Sequence, residues 1–133
     1  MRRTYYAKGV HYHKSDIPAT LRPYVDYVFS SGAFATDDYK TFEKKFKRVI
    51  VKLLPEGYSM HSWHSNHYEC SWVIKTPEDK FIYGSISDVG GAPNEWLSNI
   101  LIRTMKHDKD WSGGFNNYTS IFTFTEDIKK LNK

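Results

Sequence analysis

Residues 36–54 read TDDYKTFEKKFKRVIVKLL, and this run decides more of the fold than any other. Tyr39, Phe42, Phe46, Val49, Ile50 and Leu53 recur at steps of three and four, which predicts a helix between Thr36 and Leu54 with one apolar face. Thr36 suits the N-cap, Asp37 and Asp38 suit the positive end of the helix dipole, and Pro55 with Gly57 supplies the stop. The other face carries Lys40, Lys44, Lys45, Lys47, Arg48 and Lys52. A run of this kind reads either as a solvated helix surface or as a docking surface for nucleic acid or an acidic protein patch.

Upstream, Ile17, Leu21, Val25 and Val28 fall at helical spacing after Ser15-Asp16, and predict a second helix that runs to Gly32. Pro23 is awkward within it, because an interior proline loses a hydrogen bond and clashes with the previous turn. An irregular first turn, with regular helix from about Arg22, relieves the conflict. The short tip Ser30-Ser31-Gly32 predicts that the two helices form an antiparallel pair.

Downstream the period changes from helical to alternating. Tyr68, Cys70, Trp72 and Ile74 alternate with mostly polar neighbours over His67 to Lys75, the pattern of a half-buried strand. Pro77 to Lys80 reads as a hairpin turn and Phe81 to Val89 as the returning strand. A further strand is expected near Asn99 to Lys106 after a short helical turn, and another over Ser120 to Thr125, with a final turn of helix over Glu126 to Lys133. Residues 4–12 add a candidate edge strand. The expectation is therefore α+β: two N-terminal helices packed on an antiparallel sheet of about four or five strands, in a single domain spanning 1–133.

Composition bounds the function. A chain of 133 residues has the size of one ordinary domain. No apolar run approaches the ~20 residues of a membrane span, and the N-terminal MRRTYYAKGV lacks the apolar stretch of a secretory signal. Cys70 is the single cysteine, so no intrachain disulfide forms and a reducing, cytoplasmic setting is expected, the host cytosol if the gene is carried by a phage. Aromatic residues make up 17% of the chain, an excess that serves a core, an interface or a stacking platform. The net charge of +4 permits an acidic partner.

Chemistry is suggested most by MHSWHSNHYEC, residues 60–70. His61, His64, His67 and Cys70 are four ligands of the types zinc favours, the number used by a closed structural site. Steps of three do not place all four on one face of a helix or a strand. Separate surface histidines with a buried apolar Cys70 are the competing reading. A thiol nucleophile at Cys70 is disfavoured by its place on the expected core face, and a metallohydrolase with Glu69 or Asp88 as base is the better of the two enzymatic alternatives, ranked below a binding role. The stretch RTMKHDKDWSGGFNN, residues 103–117, reads as an exposed recognition loop in which Lys109 and Trp111 meet a partner. Direct nucleic-acid binding is a further alternative, through Arg2, Arg3, Tyr5, Tyr6 and Lys8.

The segments Ser85 to Val89, Leu101 to Thr104 and Asp108 to Tyr118 resemble small proteins of phages and mobile elements, and the histidine-rich segment is similar to what a zinc-containing type II anti-CRISPR would carry. The resemblance includes no motif of established role, so it transfers no functional residue. What it implies is a class: a non-enzymatic inhibitor that binds a large nucleoprotein effector such as Cas9, with a structural zinc. Because the chain is basic rather than a DNA-like acidic mimic, the expected docking site is a protein surface of that effector, met by Lys44, Lys45, Lys47, Arg48, Lys109 and Trp111.

The helix assignment is testable by itself. Phe46→Ala should cost about 3–5 kcal/mol in chemical denaturation, as a core truncation does. A cost below about 1 kcal/mol would place Phe46 outside the core.

Overall fold

The computed structural model describes residues 4–7, 10–25, 37–65, 69–87, 95–110 and 115–131. Strands β1 (Thr4–Ala7) and β2 (Val10–His13) pair as a two-stranded antiparallel ladder, α1 spans Asp37–Leu53, and β3 (Ser59–Ser65), β4 (Glu69–Lys75) and β5 (Phe81–Ser87) follow. The chain continues with the short α2 (Glu95–Ser98), β6 (Ile100–Met105), β7 (Asn117–Thr119) and α3 (Phe124–Leu131). Strands β3 to β7 form one antiparallel sheet in sequential order, a meander.

Two N-terminal helices packed on the sheet are not what forms, and α1 is the one long helix among the described residues. The segment from Ile17 instead makes i to i−3 turns, with the amides of Leu21, Tyr24 and Val25 donating to the carbonyls of Pro18, Leu21 and Arg22. Pro18 and Pro23 are the cause, since each lacks an amide proton and crowds the preceding turn. The Arg22 guanidinium takes over part of the missing hydrogen bonding, donating to the Ile17 carbonyl at 2.9 Å and the Ser15 carbonyl at 3.0 Å. Ile17, Leu21 and Val25 are nonetheless fully buried, so their spacing reported burial rather than helix. Val28 and the Ser30-Ser31-Gly32 tip lie outside the described residues.

Three further expectations change. The N-terminal segment pairs with itself rather than adding an edge to the main sheet. Ser120 to Thr125 is a turn leading into α3, because the Ser120 hydroxyl accepts the Thr123 amide at 3.2 Å and Ile121, Phe124 and Ile128 bury at helical spacing. Strand β3 covers a stretch not read as a strand at all. A bulge between Met60 and Ser62 breaks its alternation, so that Met60 and Trp63, three apart, both meet the core.

The main core lies on one face of the sheet beneath α1, and a smaller buried cluster of Val73, Tyr83 and Met105 lies on the other. Across it runs the row Trp63, Trp72, Gly84, Ile102, paired strand to strand. The Trp63 and Trp72 rings stack at 4.8 Å and 9°, and Phe46 of α1 meets both edge to face at 6.2 and 5.8 Å. Phe42 continues the cluster to Trp96 at 5.4 Å. Much of the aromatic excess is thus core. Burial, with smaller contributions from Cys70 and Glu43, pushes the Tyr39 hydroxyl above its ordinary pKa, so it stays a neutral phenol. At its far end, α1 is tied to α3 by the Thr125 hydroxyl, which donates to the Leu53 carbonyl at 2.6 Å and satisfies a group the helix terminus would leave open. No helix among the described residues is long and apolar enough to cross a membrane.

Gly84 is required by its neighbour. A Cβ at that position would overlap the Nε1 and Cε2 atoms of the Trp72 indole. Gly84→Ala should therefore destabilise the protein by about 1–3 kcal/mol, the overpacking range, as read from the denaturation midpoint. In a Trp72→Leu background the same change should cost clearly less; an equal cost would mean that the indole is not the obstacle.

Candidate basic interface on helix α1

Helix α1 presents two unlike surfaces. Tyr39, Phe42, Phe46, Val49 and Ile50 are buried, whereas Lys40, Lys44, Lys47, Arg48, Val51 and Lys52 are exposed. Lys40, Lys44, Arg48 and Lys52 stand at four-residue steps and form one ridge. At 1.5 Å per residue the ridge is about 18 Å long, and at 100° per residue it winds through about 120° of the helix circumference. Lys47 and Lys45 flank it, with their ammonium groups 5.8 Å from the Trp63 ring centroid and 5.5 Å from that of Tyr24. These ring contacts hold two long side chains that would otherwise range freely.

Glu43, an acid within α1 that could neutralise part of this surface, is turned away from it. After Asp37 and Asp38, Glu43 is the only carboxylate in α1, and its Oε1 accepts the Trp63 indole N–H at 2.9 Å. That bond fastens the helix to β3. Among the described residues no carboxylate forms an ion pair with any of the six α1 cations. Three like-charge pairs at i, i+4 follow, Lys40–Lys44, Lys44–Arg48 and Arg48–Lys52, each destabilising a helix by about 0.2–0.5 kcal/mol.

Of the sequence-selected contact residues, Lys44, Lys47 and Arg48 lie exposed in this surface, and Lys45 is half-buried at its margin. Lys109 is exposed in the turn after β6, where the Lys106 amide donates to Asp110 at 2.9 Å. That turn is fastened through Asp108 to His61 at 3.1 Å, on the sheet face opposite α1, so Lys109 and α1 do not make one patch. Trp111 lies outside the described residues.

The zinc ligand set does not assemble around Cys70. Its side chain is fully buried against α1, close to Tyr39. His64 pairs with Ser71, on the other face of the sheet, and its Nε2 lies 3.2 Å from the Ser62 hydroxyl. His61 faces that same side, against the Phe81 ring and Asp108. His61, His64 and Cys70 therefore do not fit one zinc ion, His67 lies outside the described residues, and among those described no three His, Cys, Asp or Glu side chains converge.

The sequence reading, which treats residues 103–117 as one exposed recognition loop, misses strand β7 and the groove along its edge. Phe115 is 90% exposed and Tyr118 51% exposed, beside a groove of about 480 Å³ bounded by Ile102, Asn117, Tyr118, Asp127, Lys130 and Leu131. The Asp127 carboxylate in that groove is already held by the hydroxyls of Thr119 at 2.7 Å and Thr123 at 2.9 Å. Arg103 stacks on Tyr83 at 4.4 Å on the face away from α1. The available signal was the Gly113-Gly114 pair before Phe115, which separates this aromatic from the strand pattern on either side.

Compared with known proteins, the chain matches no family model, no curated protein and no solved structure.

The like-charge ridge predicts that reversing one of its charges stabilises the helix. Lys44→Glu should raise stability by about 1 kcal/mol, because it removes two repulsive i, i+4 pairs and creates two attractive ones. The check is the urea midpoint; a fall would show that Lys44 has a structural partner.

Proposed function

We propose that this protein is a non-enzymatic binding module that docks the basic face of α1 on a large nucleoprotein assembly, with a CRISPR–Cas9 effector as the specific form of that partner. The observation that carries the reading is the ridge of Lys40, Lys44, Arg48 and Lys52, which pairs with no carboxylate among the described residues. It lies on a convex helix, and a convex surface excludes no water from a small substrate, so its chemistry is association rather than turnover. Its charge lowers the stability of its own helix, a cost that binding to an anionic surface offsets. The class of partner comes from the resemblance of the segments within residues 85–118 to phage and mobile-element proteins.

The test is capture of Cas9, with and without guide RNA, by the full-length protein and by Lys44→Glu/Arg48→Glu. The expected result is binding by the native chain, weakened at least tenfold by the double substitution while the fold is retained by circular dichroism. No binding to either form of Cas9 would remove that partner. Undiminished binding by the variant would remove α1 as the contact.

A further inference from the structure

The basic face of α1 has a composition that discriminates between a protein and a nucleic-acid surface. Protein interfaces are centred on buried aromatic or apolar anchors and are depleted in lysine. The α1 face is the reverse: five lysines and one arginine surround a single exposed aliphatic side chain, Val51 at 43% exposure, and no exposed ring. Nearby rings are committed elsewhere, Trp63 to the stack on Trp72 and Tyr24 to an edge contact with Phe42. A strand of unpaired bases would therefore find nothing to stack on, which separates this surface from single-strand platforms.

The angular spread of the cations fits a duplex. Around the helix axis Lys47 and Lys40 lie on one side of Val51, and Arg48, Lys52 and Lys45 on the other, with Lys44 near the centre. The B-form major groove is about 12 Å wide and admits an α-helix, so cations fanned to both sides reach phosphates on both walls. The A-form major groove of duplex RNA is deep and narrow and admits none. Along the axis the ridge covers about five base-pair steps at ~3.4 Å each. It carries no Asn or Gln for the bidentate adenine contact, and with Arg48 and the lysines directed to phosphates its contacts position the helix without reading sequence.

Resting on the proposal that the partner is a nucleoprotein assembly, we infer that α1 engages the phosphate backbone of duplex DNA, without sequence preference, through Lys40, Lys44, Arg48 and Lys52. This departs from the protein-surface docking expected from the sequence, and the difference is measurable. For four phosphates, log affinity should fall with log salt at a slope near −3.6, so that a random-sequence 20-base-pair DNA loses about 10²-fold in affinity between 50 and 200 mM salt.

The experiment is fluorescence anisotropy of that DNA with the full-length protein across this salt range, repeated with Lys44→Gln and with Lys40→Gln/Arg48→Gln. The expected result is the stated slope, reduced by about 0.9 for each cation removed, and a preference for duplex DNA over duplex RNA of the same length. A flat salt dependence, or slopes unchanged in both variants, would overturn the inference, as would equal affinity for duplex RNA. The two readings fail separately. Binding to guide-free Cas9 that Lys44→Gln weakens, with no DNA binding, would leave the proposed function standing on a protein surface. DNA binding without any Cas9 binding would leave the phosphate contact standing and remove that effector.

Discussion

The Trp72 indole can lie flat only because position 84 on the neighbouring strand has no side chain. From that single vacancy of a Cβ the rest of the core is built outward. Trp72 receives Trp63 on one side and the edge of Phe46 from above, so one ring joins β3, β4, β5 and α1. Such ring pairs contribute about 0.5–1.5 kcal/mol each beyond the area they bury. The indole N–H groups of Trp72 and Trp96 are buried without a hydrogen-bond partner among the described residues. The packing of the rings has to outweigh that desolvation.

This arrangement explains what could and could not be read from the sequence. Helix α1 was legible because its apolar residues keep one period for seventeen residues and its charges keep the complementary one. Strands β4 and β5 were legible because every second residue from Cys70 to Ile74, and from Ile82 to Ile86 with Gly84 between, meets the core. The segment from Ile17 to Val25 failed because burial at i and i+4 arises equally well from successive tight turns once two prolines forbid a helix. Strand β3 failed because one bulge moves its pattern out of phase, and the same bulge places His61 and His64, three apart, on the same face of the sheet. Their even spacing suggested a ligand set, but Cys70 faces the other way. Of the candidate contacts, the lysine-rich face was legible from periodicity alone. The engagement of Glu43 with Trp63 was not, since it joins residues twenty apart.

That engagement also separates the two duties of α1. A carboxylate that could have shielded the cations serves the sheet instead, so the helix is seated by its aromatic face and by Glu43, while among the described residues no carboxylate pairs with its outer cations. The ridge of Lys40, Lys44, Arg48 and Lys52 stands apart from the ring contacts and the Glu43–Trp63 bond that seat the helix.

The connectivity of the sheet bears on how the chain reaches this state. Its five strands are neighbours in the order in which they occur, so pairing can spread from one hairpin to the next through short loop closures, each entropically inexpensive. Helices α1 and α3 stand at opposite ends of that series, and the Thr125–Leu53 bond spans 72 positions. The meander brings these two helices, distant in sequence, into contact. Their bond closes a long stretch of chain, and it is the bond that shields the carbonyl end of α1 from water.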